Sequence, residues 1–127
     1  MINITQIRSL VKSTCNGLGD KFASDDAVTL ILETGMVESR YIYLRQLGDG
    51  PARSFWQIEP ATAIDNLNHY LSHRKKLMVK CAETSLVDLK YWQSYDEKTW
   101  EKILEINLSA AIIMARLKFW RVPKPMP

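Results

Sequence analysis

Cysteine is scarce in this chain. Its 127 residues hold two, Cys15 and Cys81, with no Cys-x-x-Cys pair and no Cys/His ligand spacing. That excludes a disulfide scaffold and a structural zinc site, and both thiols read as small buried apolar side chains. Long apolar runs are missing too: none approaches the roughly 18 residues of a membrane-spanning helix. The first residues, Met1 to Arg8, lack the charged and apolar segments of a cleavable signal. The expectation is a chain with no membrane span, folded in a (host) cytoplasm without a signal peptide. Glycine and proline each occur only five times and without period, which excludes collagen-like and linker-like chains. Charge of one sign is weak as well, 17 Lys plus Arg against 14 Asp plus Glu for a net +3. Its even scatter before residue 110 argues against nucleic acid as the partner. From Ala110 onward there are Arg116, Lys118, Arg121 and Lys124 and no acid, a basic end that reads either as an anion-tolerant surface or as a solvated helix terminus.

What remains is enough for one self-supporting domain over residues 1–127, and its pattern is helical almost throughout. Asn3 caps a first helix carrying Ile4, Ile7, Leu10, Val11 and Cys15, and Asn16-Gly17 with Gly19-Asp20 stops it. Ser24, followed by Asp25 and Asp26, opens a second helix over residues 25–38. Its apolar stripe runs Ala27, Val28, Ile31, Leu32, Gly35, Met36 and leaves Glu38 at the C-terminal end. Residues 39–60 are irregular and rich in aromatics, and a stretch of that length inside a small domain is usually functional. Helix returns at Pro60, then over Arg74 to Ala82 and Leu86 to Gln93. The longest segment runs from Tyr95-Asp96, through Trp100, Ile103, Leu104, Leu108, Ala111, Ile112, Ala115 and Leu117, to Pro123. Residues 122–127 read as an extended Pro-rich tail. The expected class is all-α, with at most a small β-hairpin in the 39–60 region. His69 and His73 lie four apart but have no third ligand nearby, so neither a metal nor a cofactor is expected. Arg74 to Lys76 reads as a solvated face ahead of an anion site, and Trp92, Trp100 and Trp120 as core ahead of cleft wall.

The irregular stretch carries the chemistry. A glutamate ending an apolar helix and facing Tyr41, Tyr43, Phe55 and Trp56 is placed where partial burial can keep a carboxylic acid neutral. Aromatic rings also stack on the C–H faces of sugars. Glu38-Ser39, followed by Gly50 to Thr62 (Gly-Pro-Ala-Arg-Ser-Phe-Trp-Gln-Ile-Glu-Pro-Ala-Thr), resembles the signature of the lysozyme-like superfamily. It is most similar to soluble lytic transglycosylases and goose-type lysozymes. Gln57 follows Glu38 by nineteen residues, and Pro60 and Thr62 fall at the family's offsets from it. Asn107-Leu108 with Ala110, Ala111, Ala115 and Leu117 is a looser echo of the family's late helix. Ser54 stands where the family carries Gly, Trp56 where it carries Met, and Glu59 where an apolar residue is usual. A Ser in place of Gly is strained wherever φ is positive.

The resemblance implies a lysozyme-like helical domain with a saccharide cleft, acting on peptidoglycan glycan strands. It makes Glu38 the catalytic acid and then base on the MurNAc-GlcNAc bond, and Ser39, Tyr41, Trp56, Gln57 and Thr62 substrate-side residues. In lytic transglycosylases the muramic C6 hydroxyl closes a 1,6-anhydro ring, so no second carboxylate is needed. Asp49 and Glu59 are the only nearby acids. Arg45 to Ala52 and Ala115 to Pro123 also resemble small proteins of tailed phages, which implies a virion part or lysis protein, with other virion proteins as partners. A catalytically inert structural or wall-binding protein on the same fold is the alternative.

Overall fold

The computed structural model describes residues 2–121. Among them are seven α-helices, α1 (Ile4–Leu18), α2 (Asp25–Ser39), α3 (Pro60–His69), α4 (Lys75–Ser85), α5 (Leu89–Trp92), α6 (Glu97–Ile106) and α7 (Leu108–Trp120), with short 3-10 turns at Asp20–Phe22 and Leu71–His73. No strand occurs among the described residues, and the 39–60 region holds only two isolated antiparallel bridges, Arg45 with Arg53 and Arg53 with Ile58. The class is all-α. The expected extended tail, 122–127, lies outside the described residues.

Side-chain caps set the helix starts. Asn3 accepts from Gln6 N at 3.1 Å, Ser24 from Ala27 N at 3.1 Å and Asp96 from Thr99 N at 2.9 Å, each satisfying a donor the first turn leaves free. Pro60 occupies the first turn of α3, where its missing N–H costs nothing. The segment expected to run unbroken from Tyr95 to Pro123 is two helices. Asn107 adopts an extended conformation (φ −127°, ψ 104°). Its Oδ1 accepts from Ala110 N at 2.8 Å and its Nδ2 donates to Ser85 O at 2.9 Å. One side chain thus starts α7 and ties it to the end of α4. The helix expected over Leu86 to Gln93 shrinks to the single turn of α5, because Leu86 is left-handed (φ 60°) and Asp88 caps the turn through Lys90 N.

Helix α7 is the centre of the molecule. Every residue from Ala110 to Leu117 is buried, the pattern of a helix enclosed on all sides, and it packs against α1, α2, α3, α4 and α6. Alanines 110, 111 and 115 let those neighbours approach closely. Arg116, expected at an exposed basic end, is buried. Its Nε donates to Phe22 O at 2.8 Å, and its guanidinium lies 5.3 Å from the Trp120 ring centroid and 5.8 Å from that of Phe22. Burial lowers its pKa from the ordinary arginine value, and the carbonyl and the two aromatic faces are what hold the cation there. Asn66 on α3 donates to Met114 O at 3.1 Å, whereas the indole N–H of the fully buried Trp92 has no hydrogen-bond partner.

Trp92 and Trp100 are fully buried and pack edge to face at 5.1 Å, while Trp120 is half-buried against Phe22. Cys15 and Cys81 are buried free thiols, pushed up to about 11 and about 12 by desolvation. The stripe of α2 is narrower than its sequence suggests: Met36 is half exposed. Gly35 faces the Tyr41 ring so closely that an added Cβ would overlap its phenol, whose hydroxyl donates to Leu32 O at 2.8 Å. Gly35→Ala should therefore cost about 1–3 kcal/mol by overpacking, read as a fall in Tm of roughly 4–15 °C. An unchanged Tm would show that the ring has somewhere else to go.

Candidate functional site

Leu30, Glu33, Thr34, Val37 and Glu38 recur at the helical repeat and form one face of α2. That face, the 56–59 turn, Thr62 on α3, and Ala115, Lys118 and Phe119 on α7 enclose a groove of about 600 Å³. Glu38 sits in the last turn of α2 and is exposed at the groove, not sunk among aromatic rings as its sequence neighbours suggest. The Tyr43 hydroxyl donates to the Glu38 backbone carbonyl at 3.0 Å and holds that last turn against the loop. Glu33 and Glu59 bring two further carboxylates to the groove and Lys118 one ammonium. Three acids to one base, with Thr34, Gln57 and Thr62 among them, make a polar trough over an apolar floor.

Four of the six expected site residues line this groove: Glu38, Trp56, Gln57 and Thr62. Trp56 is 1% exposed and its indole N–H donates to Ile31 O at 2.9 Å, so it forms the floor by packing rather than by presenting a ring face. Gln57 is half-buried, with its amide donating to Ser54 O at 2.8 Å.

The other two expected residues point elsewhere. The Ser39 hydroxyl is buried, donating to Gly35 O at 3.2 Å and accepting from Tyr41 N at 3.0 Å, and its role is to end α2. Tyr41 is buried beside Phe55 (5.5 Å) and Trp56 (5.9 Å), which pushes its hydroxyl up to about 12. It borders a shallow apolar hollow with Ile4, Met36 and Ile42, away from Glu38. The cause is the backbone: Arg40 and Tyr41 are both left-handed, at φ 53° and 56°, and reverse the chain immediately after the helix. Asp49 lies at the exposed loop tip and does not reach the groove. Glu33 and Thr34 were not singled out from sequence, although the α2 repeat that places Glu38 also places them, and Lys118 was named only as part of the basic end.

The loop that completes the groove is strained and clasped. Ser54 and Gln57 have φ of 67° and 51°, and a Cβ in that region costs roughly 1 kcal/mol or more. The Ser54 hydroxyl offsets part of this by accepting from Trp56 N at 3.1 Å. Short antiparallel bonds join Gln46 N to Ala52 O (2.9 Å) and Ile58 N to Arg53 O (2.9 Å). Two acids of α6 then grip the loop's arginines. Glu105 takes Arg45 in a two-pronged pair and lies 3.4 Å from Arg53 Nε, and Glu101 lies 3.3 Å from Arg53 Nη2. Arg53 also donates to Gly50 O at 2.7 Å and Ala52 O at 3.0 Å.

His69 pairs with Asp65 at 3.5 Å, and His73 lies in the following 3-10 turn. No group of three or more metal-ligating side chains occurs among the described residues. No described helix is long and apolar enough to cross a membrane. Comparison with protein-family models, curated proteins and solved structures found no match.

The Arg45 hydrogen bond holds the Glu105 carboxyl below the usual glutamate range. A depressed folded-state value means stabilisation that is present above the unfolded value and lost as pH falls through the folded one. Glu105→Gln should thus lower Tm at pH 7 and loosen the 44–53 loop in amide exchange, with the gap to the parent closing below about pH 4. A gap that persists unchanged at pH 3 would show that the clasp acts through shape and not charge.

Proposed function

We propose that the protein binds and cleaves peptidoglycan glycan strands, with Glu38 as the proton donor. The observation that carries this reading is that Glu38 and Gln57, nineteen residues apart in sequence, open onto one groove together with Thr62, the three positions through which the chain resembles lytic transglycosylases. The polar trough suits a sugar chain, which needs many hydrogen-bonding groups over an apolar floor.

In this reading Glu38 protonates the glycosidic oxygen as the C1–O bond breaks. The same carboxylate then takes the proton of the muramic C6 hydroxyl as that oxygen closes on C1. One carboxyl serves both steps, which is why the absence of Asp49 from the groove is no obstacle. A strand laid in the groove covers the exposed Glu38 carboxyl and excludes bulk water from the reacting bond. Glu33 and Glu59 are the groups available to stabilise positive charge developing at C1. The resemblance of Arg45–Ala52 and Ala115–Pro123 to tailed-phage proteins supports a virion or lysis role.

The exposure of Glu38 favours one alternative, a wall-binding or structural virion protein that uses the same groove without cleaving. Glu38→Gln separates the two. Gln keeps the shape and some hydrogen bonding but delivers no proton, so clearing of purified wall sacculi should fall by about 10²–10⁴-fold with Tm unchanged. Clearing equal to the parent's removes Glu38 from the chemistry. A parent that binds sacculi but clears none of several wall types establishes the inert alternative.

A further inference from the structure

We propose that a second groove, between the α4–α5 junction and α6, is a docking site for an acidic amphipathic helix of a partner protein. The groove encloses about 720 Å³ and shares no residue with the Glu38 groove. Its walls waste apolar surface on water: Leu86 is 90% exposed, Ile106 66% and Tyr91 39%.

Leu86 is the sharpest feature. It stands just past the end of α4 in the left-handed conformation (φ 60°, ψ 25°), a place that normally falls to glycine because a Cβ is disfavoured there. The chain thus carries a strained backbone and an exposed leucine at one position, a combination that packing inside this molecule does not repay. The conformation is held firmly. The Ser85 hydroxyl donates to Cys81 O at 2.7 Å and accepts from Val87 N at 3.2 Å, and Asn107 donates to Ser85 O at 2.9 Å. A backbone fixed in advance loses little freedom when a partner covers it.

Charge decides the kind of partner. Helix α6 sorts its ions by face: Glu101 and Glu105 turn to the loop arginines, while Lys98 and Lys102, one turn apart, line the groove. Neither lysine makes an ion pair among the described residues. Lys90 Nζ lies 5.1 Å from the ring centroid of Tyr91, which also lines the groove. The one acid lining the groove, Asp88, is engaged in capping Lys90 N at 2.9 Å. An apolar trench with an unanswered basic rim fits a helix with apolar residues at i, i+3, i+4 and i+7 and carboxylates one turn apart along its flank. A second copy of this chain fits poorly, since a two-fold contact of groove on groove sets Lys98 and Lys102 against their own counterparts.

The probe is a synthetic helical peptide of about fourteen residues, four turns long, with leucines at those spacings and flanking glutamates. Its control has every glutamate replaced by lysine. Amide chemical shifts of the full chain are followed on titration with each. The acidic peptide should bind and move resonances of residues 86–91 and 98–107, with the basic one about tenfold weaker or worse. Leu86→Gly should weaken the acidic peptide about tenfold while Tm holds or rises, because glycine takes this φ without penalty. The double variant Lys98→Glu and Lys102→Glu should reverse the preference between the two peptides. Equal affinity for both peptides, binding of neither, or shifts confined to another face would overturn the proposal. So would a concentration-dependent dimer in sedimentation that Leu86→Gly dissolves, which assigns the groove to a second copy.

Discussion

The enclosure of α7 on every side is the constraint from which the rest follows. A helix buried from Ala110 to Leu117 has no face to spare for water, so the other long helices are arranged around it as its solvent. It enters that position at Asn107, where a single extended residue separates it from α6. Without that break, α6 and α7 would form one rod of more than twenty residues, and a rod cannot lie at the centre and along the rim at once. Arg116 is the exception inside the enclosure, and it is tolerated because Phe22 contributes both a carbonyl and a ring face.

The Glu38 groove is a by-product of the same geometry. The end of α2 and the end of α7 leave a trough, and the 54–59 turn floors it with Trp56 and Ile58. The positive φ angles at Ser54 and Gln57 bend the chain tightly enough to bring the Gln57 amide back to the loop carbonyl. Strain there is sustained from outside, by the grip of Glu101 and Glu105 on Arg45 and Arg53. Helix α6 therefore works on both sides, steadying the loop with its carboxylates and bordering the second groove with its lysines.

Most of the architecture was legible from local rules. Asn3, Ser24 and Pro60 mark helix starts in sequence as they do in space, because capping is decided within one turn. The break at Asn107 was not, since apolar residues continue through it at helical spacing, and what wins there is a hydrogen bond to Ser85, which is distant in sequence. At the site, Glu38, Gln57 and Thr62 were legible because helix end, turn and helix start are local. Ser39 and Tyr41 were misplaced because adjacency to Glu38 says nothing about two successive left-handed residues. Trp56 was placed among the substrate-side residues, whereas it is buried beneath the groove with its indole N–H committed to Ile31 O. Arg116 was placed at an exposed basic end from its neighbours' charge, when its position on an all-round apolar helix was the stronger signal.

The two thiols have a use that packing alone does not suggest. Burial pushes the Cys15 thiol up to about 11 and the Cys81 thiol up to about 12, which keeps both protonated at pH 7. Both have no exposed surface. Alkylating reagents and oxidants reach them only when the helices around α7 part, so the rate of thiol labelling under native conditions is a clock for opening of the core. One thiol sits in α1 and the other in α4. Comparing their two rates tells whether those helices leave the centre together or one at a time.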